Sequence, residues 1–111
     1  MSVIEVLVYQ RADGKLPYET WLAALRDAQA RARIRARVDR LSTGNFGDCK
    51  PVGGGIVELR VDHGPGYRVY LARRGAVVVL LLCGGDKRAQ AADIKRAMEY
   101  LADYERRLRD G

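Results

Sequence analysis

Three strand-like runs follow one another between residues 56 and 83, and only short turns separate them. Residues 56–61 and 67–72 carry apolar side chains at alternate positions, whereas residues 76–83 (AVVVLLLC) are apolar throughout. Alternation predicts a strand with one buried face, and an unbroken apolar run predicts an inner strand that is covered on much of both faces. Consecutive strands with short turns form an antiparallel meander, so a sheet is the element that the rest of the chain must cover.

The first half of the chain predicts one strand and two helices. Residues 3–9 are apolar and β-branched, as in a strand. Apolar residues then recur at helical spacing from Tyr18 after Pro17, which suits the first turn of a helix. A second helix continues to Gly44, a plausible C-terminal stop. Residues 45–55 are rich in glycine and predict a loop.

The last part of the chain predicts a helix behind the meander. Gly84-Gly85 is expected to end the inner strand, and Asp86 suits the cap of the final helix. The predicted order is β-α-α-β-β-β-α. Helices must cover the apolar face of the sheet, so the class is α+β, with one domain spanning residues 1–111.

The charge of the chain favours an anionic partner. It has 20 basic and 14 acidic residues, a net charge of +6, and 16 of the basic residues are arginine. Arginine suits two-point contact with phosphate or carboxylate, which points to nucleic acid or an acidic protein. The alternative is a soluble surface that happens to be basic. The second helix leaves the same choice between a solvated face and a stripe that follows phosphates, because it carries Arg31, Arg33, Arg35, Arg37 and Arg40.

The chain offers few ligands for a metal. Cys49 and Cys83 are its only cysteines and His63 is its only histidine, whereas a structural zinc site needs about four such ligands. We therefore expect no metal and no cofactor. No apolar run reaches the roughly 18 residues of a membrane span, and the amino terminus lacks the basic region of a signal peptide. A cytoplasmic protein without membrane contact is expected.

The segment ELRVDHGPGYRVY, residues 58–70, predicts a hairpin with Arg60 opposite Arg68 on its polar face. Like charges placed directly opposite destabilise a sheet. One interpretation is that Glu58 and Asp62 neutralise two ordinary solvated arginines. The other is that the repulsion is uncompensated and the pair binds an anion such as phosphate.

Residues 84–88 (GGDKR) lie between the inner strand and the last helix. Exposed backbone amides at such a junction hold anions, and Lys87 or Arg88 would lie close by. Taken alone this is a weak indication, because glycines at a strand–helix junction usually just make the turn.

The hairpin, followed by a hydrophobic strand and LLCGGDKRAQAADIKRAMEY, resembles the RelE/ParE superfamily of bacterial toxins, and especially its phage-derived, HigB-like addiction module killer branch. The resemblance runs from the first strand through Tyr104 and includes the helical stretch PYETWLAALRD. It implies two helices, a twisted antiparallel sheet and a C-terminal helix. It also implies an endoribonuclease that enters the ribosomal A site and cuts mRNA without a metal, the ribose 2′-hydroxyl attacking the adjacent phosphate.

The resemblance also implies partners and site residues. The partners are the ribosome, mRNA and a helix-turn-helix antitoxin, in a homodimer or a toxin–antitoxin heterotetramer. Arg68 matches the sheet arginine that contacts the reacting phosphate, Arg60 falls on a basic position of the preceding strand, and Lys87 lies where relatives place catalytic or RNA-contacting groups. Further RNA contacts are expected from Arg73, Arg74 and Arg88.

The chain departs from RelE-like enzymes at the general base. Glu58 stands where they carry a strand lysine, and no tyrosine near the C-terminus matches a catalytic one. His63 is the candidate base, because imidazole titrates near neutral pH. Two alternatives stay open: a ParE-like inhibitor of DNA gyrase, which cuts nothing, and a basic binding module. The paired arginines beside the candidate His63 favour the nuclease, since a pure protein binder has no need of them.

Overall fold

The computed structural model describes residues 3–111. Residues 1 and 2, which begin the predicted domain, lie outside this range. The described chain forms strands, helices and two 3₁₀ turns. In chain order these are β1 Glu5–Val8, α1 Pro17–Ala24, α2 Ala28–Asp39, the turn Arg40–Thr43, β2 Cys49–Gly53, β3 Ile56–Val61, β4 Tyr67–Arg74, β5 Val78–Asp86, the turn Lys87–Ala89, and α3 Gln90–Asp110.

The strands form one five-stranded sheet in the order β1-β5-β4-β3-β2. Strands β3, β4 and β5 pair antiparallel in sequence order, as the meander predicts, and β2 adds to β3 in the same way. The α+β class is confirmed. Strand β1 is parallel to β5, with Glu5 opposite Val78. The expectation of a fully antiparallel sheet is therefore wrong at this edge, and the sheet is mixed. No short turn joins β1 to β5, so no hairpin constrains the direction of β1.

The segment predicted as a loop, residues 45–55, contains strand β2. Cys49 pairs with Leu59 and Pro51 pairs with Val57. Strand β2 is at the edge of the sheet, where a proline that lacks an N–H leaves no ladder bond unmade. The three glycines Gly53, Gly54 and Gly55 all have positive φ and turn the chain directly into β3. The glycine run is thus a hairpin turn.

Gly84 and Gly85 lie inside β5, which corrects the prediction that they end it. A Cβ at Gly84 would overlap the indole of Trp21 from α1, and a Cβ at Gly85 would overlap the carboxylate of Asp93 from α3. The strand continues because the missing side chains let a helix approach closely from each side. Asp86 does act as a cap, but of the 3₁₀ turn, where its side chain accepts from the Arg88 N–H.

The sheet is the middle of three layers. Helices α1 and α2 cover the face that carries Leu59, Val69 and Leu71. Helix α3 covers the opposite face, where Tyr70 and Leu82 are fully buried. The face predicted as polar is therefore mostly core, and it reaches solvent only near the turn between β3 and β4. Strand β5 is covered on both faces, as its apolar run predicts.

Candidate functional site

Arg60 and Arg68 lie directly opposite each other in β3 and β4, as predicted. They belong to an open cleft of about 360 Å³ at the end of the sheet. We call this site the arginine cleft. It is lined by Asp48, Arg60, Val61, Asp62, Gly64, Pro65, Gly66, Arg68 and Lys87.

Each arginine of the pair has its own carboxylate. The Asp48 Oδ1 atom accepts a hydrogen bond of 2.9 Å from a terminal nitrogen of Arg60. The Glu58 Oε2 atom lies 3.4 Å from the Nε atom of Arg68. The repulsion is therefore compensated, so the second interpretation of the hairpin is wrong on this point, and its anion site stays a prediction. The first interpretation is correct that Glu58 neutralises an arginine, but Glu58 is buried rather than solvated. Asp48 and not Asp62 pairs with Arg60.

Glu58 has no exposed surface, and it is the centre of a buried polar group beneath the arginine cleft. Its Oε2 atom accepts hydrogen bonds from the Gln90 side chain at 2.7 Å and from the Tyr70 hydroxyl at 3.2 Å. Burial, followed by the charge of Glu58, raises the pKa of Tyr70. These contacts hold Glu58 in one position, and the carboxylate in turn fixes Arg68, whose side chain is only 12% exposed.

The turn between β3 and β4 brings Lys87 to the arginine cleft. Gly64 and Gly66 have φ of 55° and 84°, which glycine adopts without strain. The Gly66 carbonyl accepts a 2.9 Å hydrogen bond from the Lys87 N–H, so the turn is tied to the end of β5. Lys87 itself is exposed. Arg88 is next in the chain but is not part of the cleft lining, and it pairs with Asp86 at 3.2 Å.

His63 lies outside the arginine cleft lining. Its Nε2–H donates to the Oδ2 atom of Asp27 at 2.9 Å. Asp27 caps α2, where its other oxygen accepts from the N–H groups of Gln29 and Ala30. The hydrogen bond with His63, followed by one from Ala30, lowers the pKa of Asp27. In this geometry the imidazole ties the hairpin turn to the start of α2.

Arg73 and Arg74 lie at the far end of β4 from Arg68. Arg74 is six positions after Arg68 along the strand, which corresponds to about 20 Å. The guanidinium of Arg73 lies 4.8 Å from the centre of the Phe46 ring. Arg74 pairs with Glu105 of α3 at 2.6 Å. The structure thus brings together three of the predicted site residues, namely Arg60, Arg68 and Lys87, and holds the others elsewhere.

Two contributors to the site were missed in the sequence. Asp48 lies in a glycine-rich stretch that carries no periodic pattern, so nothing in the sequence marks it as the partner of Arg60. Gln90 is part of the GGDK-x-x-Q stretch on which the family resemblance depends, and its place in that motif was the available indication. Its hydrogen bond to Glu58 depends on how α3 packs against β3.

Among residues 3–111, no three His, Cys, Asp or Glu side chains gather in a way that could hold a metal ion. In the same range, no helix is both long and apolar enough to cross a membrane.

Comparison with known proteins identifies a relative in Haemophilus influenzae. No protein-family model matches the chain. A protein of Haemophilus influenzae (strain Rd), described as an uncharacterized protein, is 55% identical to the chain over 82 residues. The matched region covers 74% of this chain and 83% of the relative. The chain therefore belongs to the same protein family as this Haemophilus influenzae protein.

Proposed function

We propose that this protein is the toxin of a type II toxin–antitoxin system, a HigB-like member of the RelE/ParE superfamily that cuts mRNA in the ribosome. One observation carries the proposal. Arg60 and Arg68 face the same open cleft from adjacent strands, and Lys87 reaches that cleft from the next segment. The resemblance assigns contact with the reacting phosphate to Arg68. It puts Arg60 on a basic position of the preceding strand and Lys87 in a segment where relatives place catalytic or RNA-contacting groups.

The arginine cleft suits a phosphate that gains charge during a reaction. Guanidinium groups bind phosphate through strong, charge-assisted hydrogen bonds. Arg68 is held from beneath by Glu58, so its orientation is set before RNA arrives. Donors that are already oriented stabilise the extra negative charge of a transition state without further rearrangement. Lys87 adds a third positive charge at the rim of the cleft.

In the proposed reaction the ribose 2′-oxygen bonds to the adjacent phosphorus, and the bond from phosphorus to the 5′-oxygen breaks. The products are a 2′,3′-cyclic phosphate and a 5′-hydroxyl, and the proton lost by the 2′-hydroxyl is balanced by the one that the 5′-oxygen gains. Guanidinium stays protonated and is a poor base. Alignment of the mRNA by the ribosome then supplies the in-line geometry that activates the attack.

The proposal includes the surroundings in which the protein works. It acts in the cytoplasm, where ribosomes and mRNA are its targets. A small helix-turn-helix antitoxin binds and silences it. The assembly is a toxin homodimer or a toxin–antitoxin heterotetramer. A neighbouring reading frame that encodes such a protein would support this assignment.

The test is cleavage of mRNA by purified protein, with and without translating ribosomes, under chelation balanced to keep the ribosomes intact. Cuts with 5′-hydroxyl ends should appear only when ribosomes are present. Arg68→Ala should abolish them, whereas Arg11→Ala should not, because Arg11 is an exposed arginine that pairs with Asp13 away from the arginine cleft.

Three results would contradict the proposal: efficient cutting of naked RNA, 5′-phosphate ends, or full activity of a folded Arg68→Ala protein. Growth arrest in cells without any RNA cutting would instead favour the gyrase inhibitor. Comparing protein synthesis with DNA synthesis after expression separates the two.

A further inference from the structure

Half of the 16 arginines of this protein are paired with a carboxylate. Outside α2 and the 3₁₀ turn that continues it, eight arginine side chains lie 2.5 to 3.4 Å from an Asp or Glu oxygen. Each of them has a carboxylate partner within the protein. They are Arg11, Arg60, Arg68, Arg74, Arg88, Arg96, Arg106 and Arg107.

None of the five arginines of α2 and its continuing turn forms such a pair within residues 3–111, whereas eight of the eleven other arginines do. Two of the five bind backbone instead. Arg31 donates to the Leu25 carbonyl, and Arg37 donates to the carbonyls of Phe46 and Asp48 at 2.9 and 3.2 Å. The other three, Arg33, Arg35 and Arg40, are exposed.

Arg33 and Arg40 lie on one side of the helix, in a groove beside the hairpin. This α2 groove has a volume of about 220 Å³ and is lined by Arg33, Ala36, Arg37, Arg40, Val61 and Asp62. Val61 and Asp62 line the arginine cleft as well, so the two depressions lie side by side. Arg35 points elsewhere and lines a separate groove with Glu19 and Asp39.

We propose that the α2 groove binds the phosphate backbone of the RNA strand whose reacting phosphate lies in the arginine cleft. The assignment of the bound strand as mRNA rests on the proposed function. Arg33 and Arg40 are seven residues apart, which is about 10 Å along a helix, so they meet separate phosphates. Arg37 stays with the backbone carbonyls and keeps α2 attached to the hairpin.

The chemistry of the α2 groove favours RNA over an acidic protein. Protein interfaces depend on buried aromatic or aliphatic anchors in pockets. The apolar lining of the α2 groove is Ala36 and the buried Val61. Its polar lining consists of three arginines against one carboxylate, that of Asp62. Unpaired arginines that face a phosphate chain release its counterions, and this supplies affinity without an apolar contact.

The experiment measures binding of a fluorescent single-stranded RNA of about ten nucleotides, with 2′-O-methyl groups so that the 2′-hydroxyl reaction cannot occur. Fluorescence anisotropy gives the affinity of folded variants over a range of salt concentrations. The test variant is Arg33→Gln/Arg40→Gln. The matched control, Arg26→Gln/Arg35→Gln, removes the same charge from exposed arginines that do not line the α2 groove.

Two lost phosphate contacts should lower the slope of log K against log salt by about 1.4, and weaken binding by roughly 25-fold at about 0.1 M salt. The control should stay within about threefold of the wild type, since distant charges are screened. Equal loss in both double variants overturns the proposal, as does wild-type affinity in the Arg33→Gln/Arg40→Gln protein. The latter result would make an acidic protein the better occupant of the α2 groove.

Cleavage is not a readout in this experiment, so its outcome is separate from the proposed function. Selective loss of affinity in a protein that cuts no mRNA supports the α2 groove and refutes the nuclease. If the protein cuts mRNA but the Arg33→Gln/Arg40→Gln variant keeps the wild-type affinity for RNA, the result supports the nuclease and refutes the α2 groove. A wild-type protein that shows no saturable RNA binding at low salt also overturns the proposal.

Discussion

Replacing Glu58 by glutamine tests how Arg68 is held. The substitution keeps the shape of the side chain and its hydrogen-bonding capacity toward Gln90 and Tyr70. It removes only the negative charge beside the guanidinium. Because Glu58 is fully buried and the Arg68 side chain is 12% exposed, the arginine would be left as an uncompensated, nearly buried charge. Breaking a buried pair in this way costs about 3–5 kcal/mol.

That cost is a large part of the roughly 5–15 kcal/mol by which domains of this kind are stable. The control is Asp48→Asn in the pair with Arg60, whose side chains are 58% and 37% exposed. Exposed pairs contribute at most about 1 kcal/mol, so this variant should stay close to the wild type. Urea denaturation followed by circular dichroism gives both unfolding free energies by linear extrapolation.

A second variant isolates the charge pair from other effects. Glu58→Gln combined with Arg68→Gln removes both charges, so the double variant should be more stable than the sum of the two single losses implies. Two results would refute the reasoning: a Glu58→Gln loss no larger than that of Asp48→Asn, or strict additivity of the two single substitutions.

Three further predictions follow from buried or capping groups. Burial raises the pKa of the Cys83 thiol to about 12. Iodoacetamide at about pH 8 should therefore label the partly exposed Cys49 in the folded protein, and it should label Cys83 only after unfolding. Gly84→Ala should lower the unfolding free energy by about 1–3 kcal/mol or more in urea denaturation, because the added methyl overlaps Trp21. The hydrogen bond from His63 lowers the pKa of Asp27 below its usual 3.8, so this carboxylate contributes stability above that value and loses it as pH falls through the lowered pKa. Asp27→Asn should therefore flatten the fall in melting temperature between about pH 5 and pH 2, and an unchanged profile would contradict this.

The hairpin and its register could be predicted because side-chain parity is a local property. Only one parity of pairing between β3 and β4 keeps the apolar residues on a common face. Within that parity, a turn centred on Gly64 sets Arg60 opposite Arg68. The environment of this face could not be predicted in the same way. Whether Glu58 is solvated or buried depends on where α3 packs, and no local pattern encodes a contact with Gln90, 32 residues away.

The clearest errors in the predicted fold concern glycine residues. In a sequence it indicates a break, since it favours turns. Gly53, Gly54 and Gly55 do turn the chain, but between two strands rather than within a long loop. Gly84 and Gly85 do the opposite and stay in β5, because close packing from both faces requires positions without side chains. Whether a glycine pair or run turns the chain or stays within a strand depends on three-dimensional packing, and composition does not reveal it.

The parallel pairing of β1 with β5 has a consequence for the order of folding. The hairpins β3–β4 and β4–β5 close short loops, whereas the contact of Glu5 with Val78 closes a loop that contains most of the chain. Longer loops lose more chain entropy on closure, and non-local pairing slows folding. We therefore expect β1 to join the sheet after the two hairpins have formed. During synthesis this apolar strand is made first, and it stays without its partner until β5 has left the ribosome.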